Sequence, residues 1–289
     1  MSWVLSAFTD EGGEACDQQI ANARKAGLSH VDLRGVDGHN ISQLPLDVAE
    51  KVAAKLGAAG LKVCMFGSPL GKIDLADDFK IDQDKLEHMG KLKSILGTNQ
   101  VRIFSYYNKK AGKNPQQFQA ASLDWLSRLR EQAGRLGLVL YHENERHIFG
   151  DPCEHVQTIA EKLRDGRVFK LIFDFDNYNQ SGEDVWANWT KLRDVTDAFH
   201  LKDSDEKGQH VPAGQGAGQV KRILTDAVAR KWSGPVILEP HLSHSSAVMA
   251  TGPGGKANRK LKDMPPAETF QVAAKAARDL LAEVGASIV

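Results

Sequence analysis

Eight short β-rich segments recur along the chain at the spacing of one strand plus one helix. They are Trp3–Phe8, His30–Arg34, Leu61–Phe66, Gln100–Ser105, Leu138–Glu143, Val168–Asp174, Ala198–Lys202 and Val236–Glu239. Most are continuous apolar runs, the pattern of strands covered on both faces. Helical patterns fill the intervals. The clearest places Phe118, Ser122, Trp125, Leu126, Leu129, Ala133 and Leu136 on one stripe and stops at Gly137, the residue type that ends helices in a left-handed turn. Others are expected from Asp17 to Ala26, before Gly27, and from Pro266 to Val284. Strand–helix repeated eight times predicts an α/β protein, a (β/α)8 TIM barrel, as a single domain over residues 1–289. A doubly wound open sheet shares this periodicity, but no GxGxxG follows the first strand, so its dinucleotide-binding version loses support.

The last four segments end in potential metal ligands: VLYHE at Glu143, KLIFD at Asp174, DAFH at His200 and PVILE at Glu239. In a parallel barrel these positions all point to the same mouth, where active sites are built. A lone glutamate at a strand end is more often a solvated residue, and a lone histidine more often a packed one. Four such residues ending four successive strands are harder to explain by packing. Three carboxylates and one imidazole suit a divalent cation with sites left for substrate. Mn²⁺ is taken first, with Mg²⁺, Zn²⁺ and Co²⁺ as alternatives. Asp174 has a rival in Asp176, two residues on; Asp174 is preferred because it ends the apolar run. Lys202 shares the face of His200 and His241 that of Glu239, so both are candidate substrate contacts. Arg34, Lys72 and Arg102, at or just beyond the ends of strands two to four, could hold substrate oxygens or pair with rim acids such as Asp10 and Glu11. For Lys72 the ion pair is favoured. Trp3 and Phe8 are read as core rather than as walls for a sugar ring.

Composition narrows the partners. Thirty-seven basic residues balance 37 acidic ones at a pI near 7.2, which gives no field for collecting nucleic acid. Cys16, Cys64 and Cys153 are odd in number and widely spaced, as in a reducing compartment. The N-terminus carries no basic leader, and no run of eighteen apolar residues occurs, so neither secretion nor a membrane span is expected. A cytoplasmic protein, acting on a small molecule and open to homo-oligomerisation, is the expectation. Residues 241–262, rich in Ser, Gly and Lys, read as a mobile loop over the mouth. Neither GPGGK there nor GSPLGK at Gly67–Lys72 has P-loop spacing.

Several motifs resemble the sugar phosphate isomerase/epimerase family, which has a xylose isomerase-like barrel. They are FTDE at Phe8–Glu11, LRGVDG at Leu33–Gly38, GSPLGK, RIFSYY at Arg102–Tyr107, HENE at His142–Glu145, HLKD at His200–Asp203, VPAGQGAG at Val211–Gly218 and LEPHL at Leu238–Leu242. The likeness covers nearly the whole chain. It implies a metal held by Glu143, Asp174, His200 and Glu239, with Glu143 and Glu239 doubling as the acid/base pair. Asn177 falls where many relatives carry histidine, so it is a neighbour of the ligands or a substrate contact at most. The activity implied is isomerisation or epimerisation of a keto-sugar or sugar phosphate, in which a cation stabilises the charge formed when a proton leaves the carbon beside a carbonyl. A lyase or dehydratase acting on keto-inositols or 3-keto-glycosides would use the same proton abstraction. An apurinic-site endonuclease shares the barrel but needs more histidines and a basic surface. A sugar-binding barrel without catalysis has no support from the intact ligand set. The glycines of VPAGQGAG are read as turn formers.

Overall fold

A computed structural model describes residues 2–243, 245, 248, 258, 260–261 and 263–289. The predicted loop at 241–262, including GPGGK, lies largely outside the described residues. Eight parallel strands form one sheet: β1 (Val4–Ala7), β2 (His30–Leu33), β3 (Lys62–Phe66), β4 (Gln100–Ile103), β5 (Val139–Glu143), β6 (Phe169–Asp174), β7 (Ala198–Leu201) and β8 (Pro235–Leu238). Each lies beside its sequence neighbours, β1 pairs with β8, and a parallel bridge between Phe8 and Asp32 links β1 toward β2. The sheet is therefore a nearly closed (β/α)8 barrel, as the eightfold repeat predicts.

Helices alternate with the strands: α1 (Cys16–Lys25), α2 (Leu46–Ala58), α3 (Lys80–Leu96), α4 (Pro115–Leu136), α5 (Cys153–Leu163), α6 (Phe175–Gln180), α7 (Val185–Leu192), α8 (Val220–Ala229) and α9 (Pro266–Glu283). The boundaries of α4 show why. Asn114 Oδ1 accepts the amide of Gln117 at 2.9 Å, Pro115 occupies the first turn, and Gly137 ends the helix at φ +66°. Each device satisfies or removes an orphan backbone group. Among the described residues, no helix is long and apolar enough to cross a membrane.

Strand alternation divides the core in two. Phe8, Met65, Tyr141, Ile172, Ala198 and Ile237 form a small cluster of their own inside the barrel. The alternate residues, among them Leu140, Phe173, Phe199 and Leu238, pack outward against the helices. Phe199 is fully buried among the rings of Trp3, Phe173, Phe175, Trp189 and Trp232, with centroids 4.4 to 6.4 Å away. Burying such a ring contributes about 1.5–3 kcal/mol. It also fixes the strand whose next residue, His200, faces inward.

Two features escape the periodicity. Short antiparallel pairs join Gly35–Val36 to His39–Asn40 and Asp203–Ser204 to His210–Val211; two-residue strands leave no repeating pattern. Helix α6 starts directly after β6, so Asp176 lies in its first turn rather than on the strand face. Asp174 itself caps that helix, its Oδ1 accepting the Asn177 amide at 2.7 Å.

Candidate metal centre

The alternation that sends Tyr141, Ile172, Ala198 and Ile237 into the barrel carries the side chains two residues later into its C-terminal mouth. Those residues are Glu143, Asp174, His200 and Glu239. All four are buried, and one ligand atom from each lies within 4.8 Å of the others. His200 Nδ1 stands 3.1 Å from both Glu143 Oε1 and Glu239 Oε2. Burial alone would lower its pKa, but the two carboxylates outweigh burial and hold it up at about 10. The same contact keeps Glu143 down at about 2 against its own burial.

Cations surround this set. Arg102 Nη1 is 3.3 Å from Glu239 Oε1 and 3.4 Å from Glu143 Oε2. Arg34 Nη1 is 3.0 Å from Glu239 Oε1, while its Nε and Nη2 each donate to Asp10 at 2.9 Å. Both guanidinium groups lie over the Phe8 ring, 4.8 Å from its centroid, and Phe8 meets the His200 ring edge-on. Phe8 is thus the floor of the site, whereas Trp3 packs on Trp232 in the outer core. Lys202 Nζ is 3.1 Å from Asp174 Oδ2 and donates to Asn177 Oδ1 at 2.9 Å. Asn177 Nδ2 donates to Glu143 Oε1 at 3.3 Å. His241 Nε2 is 3.4 Å from Glu239 Oε1 and 3.6 Å from Glu11 Oε1. Burial, with Glu239 and Asp10 adding to it, pushes the Glu11 carboxyl up to about 8 despite Arg34.

Lys72, Arg102, Asn177, Lys202 and His241 line a cavity above the four donors, together with Glu239. Arg34 is spent on carboxylates beneath it, and Lys72 is paired with Glu145 at 2.8 Å. The rival Asp176 turns away, toward His210 and Ser204. Glu145, Asp10 and Glu11 complete the charge network; only the position of the last two beside the first strand end hinted at it. The glycines of VPAGQGAG wrap a carboxylate: the amides of Gly214, Gly216 and Gly218 donate to Asp203 at 2.9, 2.9 and 3.0 Å.

The donor set fits a divalent cation. It is oxygen-rich with one imidazole, which suits hard and borderline ions. Glu143 Oε2 and Asp174 Oδ2 are buried with Arg102 and Lys202 at ion-pair range, yet neither accepts a hydrogen bond. Buried acceptors left so are costly unless something else binds them.

No curated protein sequence matches the chain. Solved structures resemble it over almost their whole length. The 3-keto-D-glucoside 4-epimerase of E. coli has a TM-score of 0.69 at 14% identity, covering 97% of this chain and 100% of its own. The probable 3-DHS dehydratase of petrobactin synthesis from Bacillus anthracis gives 0.71 at 16%, covering 96% and 99%. The D-psicose 3-epimerase of Clostridium cellulolyticum H10, solved with D-tagatose, gives 0.68 at 12%, covering 96% and 99%. At such identities the likeness speaks for the shared barrel. Residues 20–264 match the family described as xylose isomerase-like TIM barrel, and on that match this chain belongs to the xylose isomerase-like TIM barrel family.

Proposed function

We propose that this protein is a divalent-metal-dependent isomerase or epimerase of a keto-sugar or sugar phosphate, with Glu143, Asp174, His200 and Glu239 as metal ligands. The observation that carries the reading is the approach of those four donors to within 4.8 Å from four separate strands. A cation held there supplies Lewis acidity, stabilising negative charge on a substrate oxygen as the neighbouring carbon loses its proton. Glu143 and Glu239 come from separate strands and each lies 3.1 Å from His200 Nδ1, which makes them the two carboxylates to take and return a proton at carbon. Arg102, bridging both, fixes their orientation. Lys202, Asn177, Lys72, Arg102 and His241 are the proposed substrate contacts, and Arg34 positions Glu239. The substrate is a small carbohydrate; the balanced charge gives no net field for collecting a nucleic acid.

The test is incorporation of solvent deuterium into carbon, across ketoses, inososes and 3-keto-glucosides, with Mn²⁺ present. Glu143→Gln and Glu239→Gln should each lower exchange by about 10²–10⁴-fold. Near-normal exchange in either variant refutes the acid/base assignment. The dehydratase among the structural neighbours keeps a second reading open, elimination after the same proton abstraction. Release of aglycone from a 3-keto-glucoside would select it over an epimeric keto-sugar product.

A further inference from the structure

Beside the four donors lies a set of polar side chains to which that reading gives no task. Asp176 is fully buried in the first turn of α6. Its Oδ2 lies 3.2 Å from His210 Nδ1 and accepts from Gln180 Nε2 at 2.6 Å, while its Oδ1 accepts the Ser204 hydroxyl. His210 is 2% exposed and lines the same cavity as Lys202, Asn177 and Glu239. Both ring nitrogens are buried and neither meets hydrogen-bond geometry with a described residue; Nδ1 has the Asp176 carboxylate at ion-pair range, whereas Nε2 has no such neighbour among them. The ring meets that of His241 edge-on at 5.3 Å, one imidazole removed from Glu239.

A carboxylate beside Nδ1 favours the proton on that nitrogen and leaves Nε2 as an acceptor. The imidazole is also held from behind. It sits on the hairpin Asp203–Ser204/His210–Val211, whose return loop is clamped by three amides on the Asp203 carboxylate. Its carbonyl accepts from Asn258 Nδ2 at 2.9 Å. A buried ring nitrogen left unsatisfied is unfavourable. A hydroxyl of a bound polyol would satisfy it.

We propose that His210 is a catalytic residue that carries the hydroxyl proton of the substrate, with Asp176 as its positioning residue. The inference rests on the isomerase reading above. In isomerisation, unlike epimerisation, a carbon proton crosses between neighbouring carbons by way of a glutamate, and an oxygen proton must then cross between their oxygens. His210 Nε2 takes the proton from the hydroxyl that becomes the product carbonyl. It then gives that proton to the former carbonyl oxygen, so one O–H bond breaks, another forms, and no proton or electron is gained.

The experiment uses Mn²⁺-loaded protein in D₂O with the same panel, following deuterium at carbon and net conversion separately. In His210→Gln, exchange should stay within about 3-fold of wild type while conversion falls by about 10²–10⁴-fold. Added imidazole should restore conversion in His210→Gly. Conversion within about 3-fold of wild type overturns the proposal, as an epimerase whose oxygen protons stay in place would show. So does a parallel loss of exchange and conversion in a variant that melts like wild type. Absence of exchange in the wild type counts against the functional reading instead. A second measurement needs no substrate: ¹⁵N spectra of histidine-labelled protein should show His210 protonated at Nδ1, and Asp176→Asn should remove that preference. A proton on Nε2 in the wild type sinks the proposal.

Discussion

Gly71 ties the loop after β3 to the continuation of β4, and Gly71→Ala isolates a steric effect whose size can be worked out. Leu70 and Gly71 carbonyls accept the amides of Phe104 and Tyr106 at 2.8 and 2.7 Å, and the Ile73 carbonyl accepts Tyr107 at 3.0 Å. Gly71 has φ +81°, and a Cβ there would lie 2.1 Å from the Phe104 oxygen and 2.4 Å from its carbonyl carbon. The left-handed backbone costs an alanine about 1–2 kcal/mol. Contact distances near 3.5 Å are needed, so the loop must move by about 1 Å, because a carbonyl cannot swing aside like a side chain. That movement adds about 1–3 kcal/mol of overpacking and weakens hydrogen bonds contributing about 1 kcal/mol each. The total expected is about 5 kcal/mol. Gly38→Ala is the control: its φ is +80° with nothing within 4 Å of the added Cβ, so only the backbone cost of about 1–2 kcal/mol applies. At about 2.1 cal/mol/K per residue, calorimetry should show Tm lower by about 8 °C for Gly71→Ala and about 2–3 °C for Gly38→Ala. Lys72 follows directly, with its ammonium 4.2 Å from the Phe104 ring centroid and 2.8 Å from Glu145. The variant should therefore also raise KM for the substrate. Equal melting of the two variants would refute the steric reasoning.

Mn²⁺ at a hundred times its Kd should stabilise the fold by about 2.7 kcal/mol, a Tm rise of about 4–5 °C at this chain length; Asp174→Asn should abolish the rise, and indifference of the wild type to both Mn²⁺ and EDTA would refute the ligand set. Asp165 is held below the usual carboxylate range: partial burial opposes this, but Arg130 at 2.6 Å and the amides of Arg167, Val168 and Phe169 prevail. A depressed folded pKa means stability present above the unfolded value near 4 and lost as pH falls below it. Urea titrations should accordingly show the gap between wild type and Asp165→Asn constant above about pH 5 and shrinking below about pH 4; a gap widening in acid would contradict the sign. Burial raises the thiols of Cys16 and Cys153 to about 11, and that of Cys64 well above its normal value. At pH 8 a thiol reagent should modify the native protein at least about 10²-fold more slowly than the urea-unfolded chain, and comparable rates would show these sites to be open.

What the sequence discloses about this site, and what it withholds, follows from the range of the signal. Alternation along a strand is local: once Tyr141, Ile172, Ala198 and Ile237 are assigned inward, Glu143, Asp174, His200 and Glu239 must share their side. Their common neighbourhood then follows from the barrel's symmetry. The counter-ions obey no such rule. Arg34 meets Glu239, and the Glu11 carboxylate accepts the amide of His241, contacts that join opposite ends of the chain and leave no periodic trace. The aspartate ambiguity had a local answer that composition hides. In FDFDNY the first carboxylate caps a helix beginning at the next residue, and neither glycine nor proline announces the change. The glycines of VPAGQGAG were legible as turns, yet the carboxylate they enclose belongs to Asp203, before the hairpin. His210 was missed for the same reason, since a two-residue strand has no period to read. Strand-end position is therefore a sound guide to which side chains reach the mouth and a poor guide to which remain available there. Arg34 illustrates the gap: three of its nitrogens contact Asp10 or Glu239. Its substitution should therefore disturb Glu239 before it disturbs any substrate.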